Sequence, residues 1–188
     1  MGPAIGRAAQ ALRAGRLVVY PTDTLLGVAA RATDDRAVAG LERLKDRPAD
    51  QPISVTVRAY SDLEAMTELS PSARRFVRTH LPGPYTILVR PSRFARRTLA
   101  PSVFAEDGTL GVRIPDHPVA RELARQVGPI TATSANRHGR PPCRTVNEAR
   151  RVFGSAVAVY LAARPPGTGR PSRLVDLTGT EPRPVPRR

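Results

Sequence analysis

Lys45, in the stretch Leu44-Lys45-Asp46-Arg47-Pro48, is the only lysine among 30 lysine and arginine residues. Where guanidinium occupies every other basic position, the one ammonium is a candidate for work a flat fork cannot do, because lysine is a compact, mobile point charge. The bland reading is a cation at a helix end, where it favours the last carbonyls. With Arg47 two residues on, the pair suits phosphate held by side chains with help from hydroxyls.

Hydroxyl clusters stand elsewhere in the chain. Thr22-Asp23-Thr24 follows the apolar run Leu17-Val18-Val19-Tyr20 once Pro21 has ended it, and Ile130-Thr131-Ala132-Thr133-Ser134-Ala135-Asn136 runs from an apolar start into hydroxyls and an amide. Beyond strand ends, open α/β sheets commonly place ligand contacts. Arg113 sits inside the apolar run Leu110-Gly111-Val112-Arg113-Ile114. An unpaired buried cation is expensive, so Arg113 must meet an anion, either a carboxylate of the protein or one of a ligand.

Several chemistries lack their residues. No glycine run precedes Lys45 to make a Walker phosphate loop, and no G-x-G-x-x-G dinucleotide fingerprint occurs. His-Glu-x-x-His and paired Cys-x-x-Cys spacings are missing, which argues against zinc, and no metal ligands are assigned. Cys143 could pair with His138, but no motif supports a nucleophile there.

A chain of 188 residues fits one domain, read here as residues 1–188 with a frayed tail at 180–188. The single cysteine cannot form an internal bridge and suits a reducing compartment, so a cytoplasmic protein is expected. No run of eighteen apolar residues and no signal-peptide core occurs, so no membrane contact is expected. The net charge of +14 favours an anionic partner, a nucleotide or an RNA. Four Phe, four Tyr and no Trp supply little of the aromatic surface that single-stranded RNA stacks on.

The elements that must position these residues follow from periodicity and punctuation. Helices are expected over 3–14, from Asp34 or Asp35 to Lys45, from a Ser61-Asp62-Leu63-Glu64 capping box, from Ser70 to about Leu81, over 118–127, and from Thr145 to Gly154. Strands are expected at 17–20, 53–57, 85–89, 110–114, 130–136, 157–161 and 174–177. Residues 90–108 read as a basic connection, and 163–172 as a loop carrying Gly167 and Gly169. Strands separated by helices, with some joins lacking one, argue an α/β fold whose sheet mixes parallel and antiparallel pairs.

Five stretches, Tyr20-Pro21-Thr22-Asp23-Thr24, Lys45-Asp46-Arg47-Pro48, Pro82-Gly83-Pro84-Tyr85-Thr86, Gly111-Val112-Arg113-Ile114-Pro115-Asp116-His117 and Thr133-Ser134-Ala135-Asn136, resemble the YrdC/Sua5 family in order and spacing. Pro142-Cys143-Arg144-Thr145 follows them. The resemblance implies a twisted mixed sheet flanked by helices around a concave basic cavity. It implies L-threonylcarbamoyladenylate synthase activity, a nucleotidyl transfer from ATP with L-threonine and bicarbonate, magnesium being carried by the nucleotide. The product would pass to a threonylcarbamoyl transferase complex that modifies tRNA; direct contact with tRNA stays open.

On the same basis Lys45, Arg47, Ser134 and Asn136 are expected to be catalytic and, with Gln51, to bind ATP. Thr24, Thr56, Arg113, Ala132 and Ser172 are expected to bind threonine. Leu26 stands where the family usually has an aromatic, Gln51 and Thr56 where many members have asparagine and histidine, and Pro171-Ser172-Arg173 replaces a Glu-Ser-Thr signature. Two rival readings are a YrdC-like paralogue without synthase activity that binds double-stranded RNA or tRNA, and a carbamoyltransferase module.

Overall fold

The computed structural model describes residues 2–48, 51–162 and 167–186. Helix α1 (Gly2–Arg13) buries Ile5, Ala8, Ala9 and Leu12, one stripe at helical spacing. Strand β1 (Leu17–Tyr20) is buried along its whole length, because both faces are covered: Val18 and Tyr20 join α1 in one core while Leu17 and Val19 enter another. Strand β2 (Gly27–Ala29) pairs back antiparallel on β1. Helix α2 (Asp35–Lys45) starts at Asp34, whose carboxylate accepts the Ala37 N–H, and buries Val38 and Leu41.

Strand β3 (Ser54–Thr56) leads to α3 (Tyr60–Met66), the two-residue β4 (Thr67–Glu68) and α4 (Pro71–His80), with Ser70 as its N-cap. Strand β5 (Tyr85–Pro91), helix α5 (Arg93–Thr98), a 3-10 turn at Pro101–Val103 and β6 (Leu110–Arg113) follow. Then come α6 (Pro118–Val127), β7 (Ile130–Ser134), α7 (Val146–Phe153), β8 (Val157–Tyr160), β9 (Arg173–Asp176) and β10 (Arg183–Val185). Among the described residues the strand order is β10-β9-β5-β6-β3-β7-β2-β1-β8, with β4 paired to β5 off that path. The β1/β8, β3/β6 and β5/β9 pairs are parallel and the rest antiparallel, so the sheet is mixed, as expected. No described helix is long and apolar enough to cross a membrane.

Four local expectations need correction. The capping box does not form at Ser61: Ala59 is the N-cap of α3, and Asp62 reaches back to accept the N–H of Arg58. The connection 90–108 holds α5, capped by Ser92 through the Ala95 N–H. Strand β2 was not expected, since Gly27-Val28-Ala29 is too short to show a period. The tail from Thr180 is not simply frayed: β10 pairs with β9, and Arg183 donates to Asp176 at 3.0 Å. Of the expected loop 163–172, residues 163–166 lie outside the described residues.

Candidate active site

The end of α2 is built to turn sharply. Asp46 takes a left-handed conformation (φ 52), and the N–H of Arg47 reaches back to Glu42 O at 3.0 Å, satisfying a helix-end carbonyl in the manner of a Schellman cap. Aspartate tolerates that conformation better than most side chains, and its carboxylate also pairs with Arg137 at 2.9 Å. The turn leaves Lys45 inside the molecule with the Arg47 charge nearby.

Lys45 is 2% exposed. Its Nζ donates to the main-chain oxygens of Ser134 and Asn136, each at 2.5 Å. Burial, and secondly the nearby Arg47 charge, push its pKa down from 10.5 to about 8. Two of the three ammonium protons are therefore committed to the protein, leaving one for a ligand. The mobile charge expected from lysine chemistry is in fact fixed by the end of β7. Across from it the Ser134 hydroxyl donates to Asn136 Oδ1 at 2.6 Å, and Asn136 Nδ2 donates to the carbonyls of Arg137 and Arg140 at 2.8 Å. Arg47 donates from Nε to Gln51 O and from Nη2 to Pro52 O, both at 2.9 Å, so Gln51 enters through its main chain. Lys45, Arg47, Gln51, Ser134 and Asn136 thus gather in one place.

The second half of the site centres on Arg113, 9% exposed at the end of β6. Its Nη2 donates to Asp23 Oδ1 and to Thr24 Oγ1, each at 3.0 Å. The anion that the sequence demanded is, in the protein alone, the Asp23 carboxylate. Thr22 donates to Leu25 O at 2.6 Å, so the 3.1 Å contact between the two threonine hydroxyls has Thr24 as donor. Register places Thr56 of β3 beside Arg113. Thr56 shares a hydrogen bond with the Tyr20 hydroxyl, whose pKa is raised, burial being the main cause.

Ser172 arrives on a strap. Thr168 N donates to Asp23 O at 2.9 Å and Gly169 N to Thr24 O at 2.8 Å, and Ser172 Oγ lies 2.7 Å from Thr86 Oγ1 on β5. A Cβ on Gly167 would come 2.5 Å from both Thr22 O and Thr24 O, so only glycine lets the strap lie this close. Ala132 is opposite Ser54 in the β3/β7 register and offers no polar side chain. Cys143 is buried, with burial pushing its thiol pKa up, which fits a core residue and not a nucleophile. Two polar side chains in this half were not singled out from the sequence, Asp23 and Tyr20. Both were visible inside Tyr20-Pro21-Thr22-Asp23-Thr24, but a turn carboxylate shows no role until its partner 90 residues away is known.

The Sua5/YciO/YrdC family, described as "Telomere recombination", matches residues 10–188. A Mycobacterium tuberculosis relative is 41% identical over 174 residues, covering 92% of this chain and 78% of its own. A Methylobacillus flagellatus protein named threonylcarbamoyl-AMP synthase is 35% identical, covering 92% of this chain and 95% of its own. Among solved structures, P. abyssi Sua5 complexed with L-threonine is similar with a TM-score of 0.84 at 28% identity over 96% of this chain. The chain spans about half of that protein, 53% of its length. E. coli YciO, at 24% identity and a TM-score of 0.84, shares the fold. A family match over nearly all of the sequence, with relatives above 30% identity along most of it, means that the chain belongs to the Sua5/YciO/YrdC family.

Proposed function

We propose that the chain is an L-threonylcarbamoyladenylate synthase. The amine of threonine combines with bicarbonate to give a carbamate and water. A carbamate oxygen then attacks the α-phosphorus of ATP and pyrophosphate leaves, a nucleotidyl transfer. Negative charge builds on phosphate oxygens as that bond breaks, so cations and donors fixed in advance are what accelerate the step.

The observation that carries the reading is the ammonium of Lys45, clamped between the carbonyls of Ser134 and Asn136 with Arg47 beside it. A clamped charge needs no reorganisation as the transition state forms. Lys45, Arg47, Ser134 and Asn136 face the triphosphate and the carbamate in this scheme, and Gln51 holds Arg47. Arg113 takes the threonine carboxylate, with Thr24, Thr56, Ala132 and Ser172 around the amino acid. The relatives named threonylcarbamoyl-AMP synthase and the Sua5 structure complexed with L-threonine support this substrate set.

Magnesium arrives with ATP; no cluster of three or more His, Cys, Asp or Glu side chains suited to a metal is found among the described residues. The product passes to a threonylcarbamoyl transferase that acts on tRNA, in the cytoplasm. The test is release of pyrophosphate from ATP by the purified chain. Release that requires both threonine and bicarbonate supports the synthase. Tight, salt-sensitive RNA binding without ATP turnover would replace it with the RNA-binding paralogue.

A further inference from the structure

Within the threonine half of the site, one buried donor and one buried acceptor have no hydrogen-bond partner among the described residues: Nε of Arg113 and Oδ2 of Asp23. Both belong to the same ion pair, whose side chains are each 10% exposed. Leaving such atoms unpaired is costly, and native folds keep few of them. The pair is also odd in sign. Bicarbonate, ATP and the threonine carboxylate are all anions, and Lys45, Arg47 and Arg113 suit them. A carboxylate held against Arg113 repels each of these groups. Apart from the magnesium carried on the phosphates of ATP, the one cationic group in the substrate set is the α-ammonium of threonine.

We infer that Asp23 is the receptor for the α-amino group of the substrate amino acid, with Oδ2 accepting one of its N–H bonds while Oδ1 keeps its bond to Arg113. The inference rests on the synthase reading and adds a specificity residue to it. The substrate is then read as a zwitterion, its carboxylate by Arg113 and its ammonium by the carboxylate attached to that same arginine. A carboxylate stabilises an ammonium, so Asp23 orients the nitrogen and does not deprotonate it. When the ammonium and bicarbonate become a carbamate, one water and one proton leave, and one N–H remains on nitrogen. Asp23 can hold that N–H before and after the step, which keeps the new carboxylate aimed at the nucleotide.

The strap adds a positional reason. Thr168 N is bonded to the main-chain oxygen of Asp23, so the backbone of the proposed receptor is held by the strap. A hydrogen bond to a charged group that the backbone has already oriented loses little entropy on binding.

Calorimetric titration of the purified chain without ATP tests the inference, using L-threonine and (R)-3-hydroxybutyrate, which is threonine lacking the α-amine. The wild-type chain should favour threonine by about 10- to 100-fold, the size of one charge-assisted hydrogen bond. In Asp23→Asn that preference should shrink to about threefold or less, with ATP affinity unchanged; Asp23→Glu should recover part of it. Equal wild-type affinity for the two ligands overturns the inference without any variant, so a misfolded Asp23→Asn cannot shelter it. An amine preference that survives intact in a folded Asp23→Asn also overturns it, and leaves the synthase reading standing. A wild-type chain that binds no threonine at all overturns both.

Discussion

At 2% exposure and with a pKa of about 8, Lys45 sits close to its titration point at physiological pH. Below pH 8 the free protein carries an ammonium there and attracts a triphosphate; above it the ammonium is lost. A bound triphosphate stabilises the charged form and raises the pKa. With threonine saturating, kcat/KM for ATP should therefore fall as pH rises through 8, about tenfold per unit, while kcat holds to higher pH. A flat kcat/KM profile from about pH 7 to 9.5 would remove Lys45 from the phosphate contact. Lys45→Ala should lower adenylate formation by roughly a hundredfold or more. Lys45→Arg should be nearly as poor, because a planar fork cannot sit between two carbonyls that accept from one nitrogen. The composition alone singled out Lys45. What it could not show is that the clamp is made of main-chain oxygens, which have no sequence signature at all.

Among elements, the strap at 167–172 is the one whose sequence says least and whose position matters most. Helices announced themselves through caps: Asp34, Ser70 and Thr145 each accept the expected N–H. Strand β2 and strand β10 stayed hidden because a three-residue strand has no period to read and is defined by its partner. The strap is hidden for the same reason, since its bonds go to Asp23 O and Thr24 O, far back in the chain. Gly167→Ala puts a Cβ against the carbonyls of Thr22 and Thr24 and should lift the strap from them. The expected result is a KM for threonine higher by roughly tenfold to a hundredfold, with the KM for ATP changed much less. Gly179→Ala, where a Cβ meets nothing within 4 Å, is the matched control and should be silent. A Gly167→Ala enzyme with the wild-type threonine KM would mean that the strap takes no part in binding.

For the molecule as a whole, the strand order explains why residues scattered from 23 to 172 converge. Strand β3 lies between β6 and β7, and β2 lies on the other side of β7. This sets Thr56 and Arg113 side by side on parallel strands, while Ser134, at the other end of antiparallel β7, lies opposite Gly27 of β2. No local pattern encodes that order; alternation of strands and helices fixed the class of fold and left the neighbours open. Because the site exists only when all these strands are in place, each substrate should stabilise the native chain by mass action. At a hundred times its dissociation constant a ligand adds about 2.7 kcal/mol, or roughly 5–10 °C in melting temperature for a chain of this size. The two substrates should differ in salt. ATP is a polyanion meeting a chain of net charge +14, and part of its attraction comes from charges beyond direct contact. Screening shortens from ~10 Å at 0.1 M salt to ~3 Å at 1 M. Its melting shift should therefore drop to about half or less between those concentrations. Threonine has no net charge and is held by a buried pair, so its shift should stay within about a degree. Thermal melts of the same preparation at both salt concentrations decide the matter. Equal salt sensitivity for the two ligands would mean that the arginine-rich surface plays no part in nucleotide capture, and that only the charges lining the site do.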